Sequence, residues 1–241
     1  MSRSARRSVR TVTALAVGAL ALAAMTSCAP AAPAPAVTPT TATSSPAVLP
    51  SSQKGAAHFD EGYLQLGDGP KTVDLYFDPI CPYCKKFESL SGPLLFSAVE
   101  QGEATLRLHP LAFLDRLSAG TAYSTRAASY LTAVAVEHPD HLQAFFQQLF
   151  DQQPAENTPG LSDEQLDELA RAAGIPSPED LDPNAYAGWV TQRTQLAAQG
   201  PLSTTTQIPR ISHVPVVMVD ADVFGGNSVD TADFAAFYAS R

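Results

Sequence analysis

Phe77-Asp78-Pro79-Ile80-Cys81-Pro82-Tyr83-Cys84-Lys85-Lys86-Phe87 is the stretch that decides how this 241-residue chain is read. Just before it, Thr72-Val73-Asp74-Leu75-Tyr76-Phe77 alternates and is rich in β-formers, which predicts a strand. Asp78-Pro79-Ile80 turns the chain. Pro82 suits the first turn of a helix, where its missing N–H costs nothing. The helix is expected to run from there to about Gln101, disturbed at Ser91-Gly92-Pro93. Cys81 then sits at the helix N-terminus, where unpaired N–H groups and the helix dipole favour a thiolate. Cys84 lies one turn on and faces the same way. Such a pair can exchange disulfides: Cys81 attacks or is attacked, and Cys84 resolves the mixed disulfide from within.

The other readings of a C-x-x-C fit less well. The chain has three cysteines, so Cys28 is the only other one. A structural zinc site needs four ligands, and no second pair of cysteines is present. His138 and His141 are distant in sequence and flank a proline. A structural disulfide across two residues would constrain the unfolded chain very little.

Moving outward, Phe59 to Leu66 is expected to be a first strand. Ala104 to His109 alternates as the next one after the helix, which makes a βαβ unit. A helical block follows. Helices are expected over Ala119–Glu137 and over Pro139–Gln152, the latter with Leu142, Phe145, Phe146 and Leu149 on one face. The next opens at Ser162, with Gln165 completing a capping box, and ends near Gly174. A last helix of the block spans Pro183–Gln199. Val214-Pro215-Val216-Val217-Met218-Val219 then reads as a strand beginning at a proline. It is followed by a hairpin into Val223-Phe224 and a closing helix over Val229–Ser240.

The N-terminus has a different texture. Arg3, Arg6, Arg7 and Arg10 precede an uncharged, Ala-rich run from Val12 to Met25. That run is shorter than the roughly 20 residues of a membrane span and has the form of a signal peptide. Met25-Thr26-Ser27-Cys28 resembles the lipobox of bacterial lipoproteins, with Met25 where a branched aliphatic residue is usual. The resemblance implies that Cys28 is lipidated and holds the chain at a membrane. Ala29 to Pro50 is almost wholly Ala, Pro, Thr, Ser and Val and reads as an extended stalk. The expected organisation is therefore signal peptide 1–27, lipidated stalk 28–55 and folded domain 56–241, with a helical insertion over about 115–205.

Charge narrows the partners. After Cys28 the chain has 11 basic and 24 acidic side chains, a net −13. An acidic surface lacks the basic stripe of a nucleic-acid binder. It is also repelled by anionic lipid, so charge does not explain membrane attachment. No Gly-rich phosphate loop is present.

The segment Phe77–Phe87 resembles the active-site segment of the Dsb proteins of the thioredoxin superfamily. Val214-Pro215 resembles that family's cis-proline, and the helical block resembles the inserted domain of DsbA-like proteins. The resemblance covers roughly residues 56–241. It implies an α/β, thioredoxin-like fold: a central mixed sheet with a helical insertion. It implies Cys81 as the attacking cysteine, Cys84 as the resolving one, and Pro82 and Tyr83 as the motif that opens the helix. It also implies a cis Pro215 that leaves the Val214 backbone free to pair with an extended substrate segment. His213 lies near that groove. No cofactor is implied beyond the Cys81–Cys84 disulfide, and no metal. Two positions depart from the pattern. Leu75 stands where relatives often have an acid six residues before the first cysteine, although Asp74 and Asp78 are near. Tyr83 replaces the His of the strongest oxidants.

The implied function is an extracytoplasmic thiol–disulfide oxidoreductase, monomeric, acting on exported cysteine-containing proteins. As an oxidase it would be recharged by a membrane quinone-linked partner. A reductase or isomerase working from the dithiol is the alternative, though residues 29–55 are too short for the dimerisation domain of the isomerase branch. A non-enzymatic chaperone or metal-delivery module is the third.

Overall fold

A computed structural model describes residues 49–241. The expected signal peptide, Cys28 and residues 29–48 of the expected stalk lie outside the described residues.

The sheet is built around the strand that ends at the motif. β1 (Gln53–Lys54), β2 (Ala57–His58), β3 (Tyr63–Leu66) and β4 (Lys71–Phe77) come first, then α1 (Pro82–Glu100) and β5 (Ala104–Pro110). The insertion holds α2 (Tyr123–Glu137), α3 (Leu142–Asp151), α4 (Asp163–Ala172) and α5 (Asn184–Gln199), with short 3-10 turns between. β6 (Val216–Val219), β7 (Asp222–Val223) and α6 (Thr231–Ala239) close the chain. The strand order is β1-β2-β3-β5-β4-β6-β7. Among the described residues only β4 and β5 run parallel, joined by α1; β3 pairs with β5, and β6 with β4, antiparallel. The C-terminal end of central strand β4 is therefore where the chain leaves for the motif.

Four expectations are corrected in detail. Gln53–Lys54, placed in the stalk, pair with β2 and so belong to the sheet. The first strand is not continuous over 59–66. The chain turns at Gly62, whose φ of +88° suits glycine, while Phe59 is buried edge-on against Trp189 and its carbonyl accepts from Trp189 Nε1 at 3.0 Å. Helix α1 runs unbroken through Gly92-Pro93. An interior proline costs about 3 kcal/mol, but Phe87, Leu95 and Phe96, buried on both sides of it, each contribute about 1.5–3 kcal/mol. The last long strand starts at Val216 instead of at Pro215, which has no N–H for the ladder.

The larger of two apolar clusters ties α1, α3 and α6 to the sheet. Phe77 at the end of β4 meets Phe146 and Phe150 of α3 edge-on, at 5.1 and 5.8 Å between ring centroids. Phe87 of α1 meets Phe234 of α6 at 5.0 Å. The insertion is thus packed directly beneath the segment that bears the cysteines. α4 opens with the capping box of Ser162 and Gln165, and Asp230 caps α6.

Candidate active site

The turn between β4 and α1 is held from three sides. The Cys81 N–H donates to the Asp78 carbonyl at 3.0 Å, and the Lys85 N–H to the Cys81 carbonyl at 3.1 Å, which starts the helix. From the insertion, Gln153 Nε2 donates to the carbonyls of Pro79 and Cys81 at 2.9 and 3.0 Å. Lys85 is also turned that way, its Nζ donating to the Asp151 carbonyl at 3.1 Å. Its charge is therefore directed at the insertion instead of at the cysteines.

Cys81 is the N-cap of α1, with extended backbone and no side-chain cap. Its thiol is held below the usual range, first by a hydrogen bond from Cys84, then by the backbone N–H groups of Cys84 and Tyr83, against an opposing effect of burial. Cys84 behaves oppositely: burial pushes its thiol well above the usual range, and its bond to Cys81 adds to this. Tyr83 between them is 63% exposed.

The loop before β6 faces Cys81. The Val214–Pro215 peptide bond is cis, and the Cys81 thiol donates to the Val214 carbonyl at 3.6 Å. Two depressions flank this contact. The larger, about 580 Å³, is lined by Cys81, Tyr83, Phe113, Ile211 and His213 among others. The smaller, about 320 Å³, lies along Tyr83, Pro215, Val217 and Phe224. Cys81, Cys84, Pro82, Tyr83, His213, Val214 and Pro215 thus come together, across more than a hundred residues of sequence. Cys28 lies outside the described residues.

Two aspartates sit behind the motif. Asp78 is fully buried. Its Oδ1 accepts from Ser124 Oγ at 2.6 Å and from the Ile80 N–H at 3.0 Å; its Oδ2 accepts from the Leu114 N–H at 2.9 Å. Burial outweighs these three donors and pushes its carboxyl up to about 6. When ionised it raises both thiols. Asp74 is buried separately, with Oδ1 2.8 Å from His109 Nε2, whose Nδ1 faces the Gly62 carbonyl at 3.0 Å. Leu75 is a core residue. The position six before Cys81 is therefore apolar, and the buried acid coupled to the thiols is Asp78, three residues before. The sequence singles out both aspartates but gives no sign of Ser124, Leu114 or His109 as their partners. Among the described residues, no group of three or more His, Cys, Asp or Glu side chains is placed to hold a metal ion.

A family model described as thioredoxin matches residues 67–237. The chain is similar in structure to the reduced form of DsbG, a disulfide bond oxidoreductase from Mycobacterium tuberculosis, with a TM-score of 0.59 and 25% identity. The match covers 74% of this chain and 86% of that one. It is similar in fold to reduced DsbA from the same organism, with a TM-score of 0.56 and 23% identity over 74% of this chain and 98% of that one. Over 109 residues it is 37% identical to the serine/threonine-protein kinase PknE of M. tuberculosis, covering 44% of this chain and 19% of the kinase. The chain thus spans about a fifth of the length of the curated relatives it matches.

Proposed function

The chain belongs to the thioredoxin family, and we propose that it is a thiol–disulfide oxidoreductase of the DsbA/DsbG type, a disulfide-forming oxidase working outside the cytoplasm. The observation that supports this is the position of the Cys81 sulfur, at the N-terminus of α1 with Cys84 behind it and the Val214 carbonyl 3.6 Å in front.

In the proposed reaction a substrate thiolate attacks Sγ of Cys81 in the Cys81–Cys84 disulfide. A new sulfur–sulfur bond forms, the old one breaks, and the electron pair leaves on Cys84, which takes up a proton. A second substrate thiolate then attacks the substrate sulfur of the mixed disulfide and expels Cys81. The substrate leaves oxidised by two electrons, and the protein is left as the dithiol. Stabilising the expelled Cys81 thiolate favours this direction, because it stabilises the reduced form. The buried Cys84 has the converse role: once it has left and taken up a proton, its high pKa keeps it protonated and slows its return attack on the mixed disulfide. The Val214 backbone, ahead of Pro215, offers a short edge for an extended substrate. Exported cysteine-containing proteins are the proposed substrates, with a membrane quinone-linked partner restoring the disulfide.

Cys28 supplies the proposed tether, at the outer face of the cell membrane. No helix among the described residues is long and apolar enough to cross a membrane. Incorporation of a labelled fatty acid should be lost in Cys28→Ser; label retained in that variant, or absent from the native chain, overturns the tether. Cys81→Ser tests the activity itself. Oxidation of a dithiol peptide should fall to the uncatalysed rate, and retained activity overturns the assignment.

A further inference from the structure

Seven arginines lie within the described residues. Five of them are engaged: Arg126, Arg171 and Arg241 in ion pairs, Arg193 with the Asp60 carbonyl, and Arg107 over the Tyr63 ring. Arg116 and Arg210 alone make no hydrogen bond, ion pair or ring contact among the described residues. They are 94 positions apart in sequence, yet both line the same 580 Å³ groove that opens at Cys81. Arg116 comes from the start of the insertion, and Arg210 from the loop that leads to cis-Pro215. Among the described residues the groove's one acid is Glu156, and its apolar lining includes Phe113 and Ile211.

This is an unusual place for unpaired cations. The chain after Cys28 has more than two acidic side chains for each basic one, so an exposed guanidinium has many carboxylates available as partners. Two that find none, both lining the half-apolar groove that Cys81 also lines, present a positive field there. A guanidinium pairs well with a carboxylate through two parallel N–H donors. An extended polypeptide pairing with the Val214 backbone would place alternate side chains toward the groove.

Resting on the reading of Cys81 as the attacked sulfur, we propose that Arg116 and Arg210 make this groove selective for extended polypeptide segments with a Glu or Asp close to the reacting cysteine. The apolar lining takes a neighbouring aliphatic or aromatic side chain. The chemistry is the exchange already described; the two arginines bind and position the segment.

The test uses the full-length oxidised protein and three peptides of one length. Each has a single cysteine, flanked by Glu, Gln or Lys. The measured quantity is the second-order rate of mixed-disulfide formation, divided by the rate of the same peptide with a small uncharged disulfide, which removes differences in thiol acidity. The Glu peptide is expected to react about five- to tenfold faster than the Lys peptide at low salt, a factor set by two exposed charge pairs. The ratio should shrink toward one at about 0.5 M salt and in the Arg116→Gln/Arg210→Gln double variant. Arg116→Glu/Arg210→Glu should invert it in favour of Lys, a result that misfolding cannot produce. Equal rates for the three peptides, or a ratio that survives in the double variant, would overturn the proposal while leaving the redox assignment standing. If none of the peptides reacts with Cys81, the redox reading fails first.

Discussion

The mouth of α1 and the pocket one turn behind it hold the same side chain in opposite states. At the mouth, Cys81 is the N-cap residue, its sulfur approached by backbone N–H groups and by the Cys84 thiol, and its acidity is increased. In the pocket, Cys84 is sealed among apolar groups, shares its surroundings with a buried carboxylate, and its acidity is suppressed. Three positions along one helix thus separate a sulfur fit to be attacked and expelled from one fit to wait. The difference comes from where each lies relative to the helix end and the core.

This division of labour is most exposed to test at Cys84. With Cys84→Ser, turnover should be lost; given a disulfide-bearing peptide, the Cys81 thiolate opens its S–S bond and expels one peptide sulfur, and the resulting covalent complexes on Cys81 should accumulate and be visible on non-reducing gels. Failure to trap any disulfide-bearing peptide would mean that Cys84 does not resolve it. The same position also reports on Cys81. Serine retains a donor toward the Cys81 sulfur, whereas alanine does not. The pH midpoint for thiolate absorbance should therefore lie higher in Cys84→Ala than in Cys84→Ser. Equal midpoints would remove Cys84 from the groups that acidify Cys81.

A smaller effect is expected from Asp78. Its folded carboxyl is raised to about 6 from 3.8, so the fold prefers it protonated. Its contribution to stability is full below about pH 3.8 and is lost as the pH rises through about 6. Asp78→Asn cannot titrate. The stability of the native chain relative to Asp78→Asn should fall by up to about 3 kcal/mol between about pH 4 and 6, since each pH unit separating the folded and unfolded values is worth about 1.4 kcal/mol. Above that window the difference should be flat. Denaturant titrations at pH values below, within and above the window check this, and a difference that does not change with pH would place the carboxylate's titration outside the range.

How much of this was readable in the sequence depends on how local each interaction is. The motif, the helix start at Pro82, the capping box at Ser162 and the proline before β6 are local patterns, and local sequence encodes them. Two of the three donors to Asp78 come from 46 and 36 residues away, and the His109 partner of Asp74 from 35. No spacing rule links such pairs; only the sheet register and the packing of the insertion bring them together. The same holds for Arg116 and Arg210, which are far apart in the sequence and line one groove only in the fold. The continuity of α1 through Pro93 is hidden for a related reason. The proline signal is local, whereas the burial that outweighs it is tertiary.

Whether the Cys81–Cys84 pair is poised to donate its disulfide is decided by its reduction potential. Equilibrating the full-length protein with defined thiol–disulfide buffers and quantifying the two redox forms yields that potential. An oxidase should have a value nearer to about −120 mV than to about −270 mV. A value at or below about −270 mV would contradict the proposed direction and assign the pair to reduction.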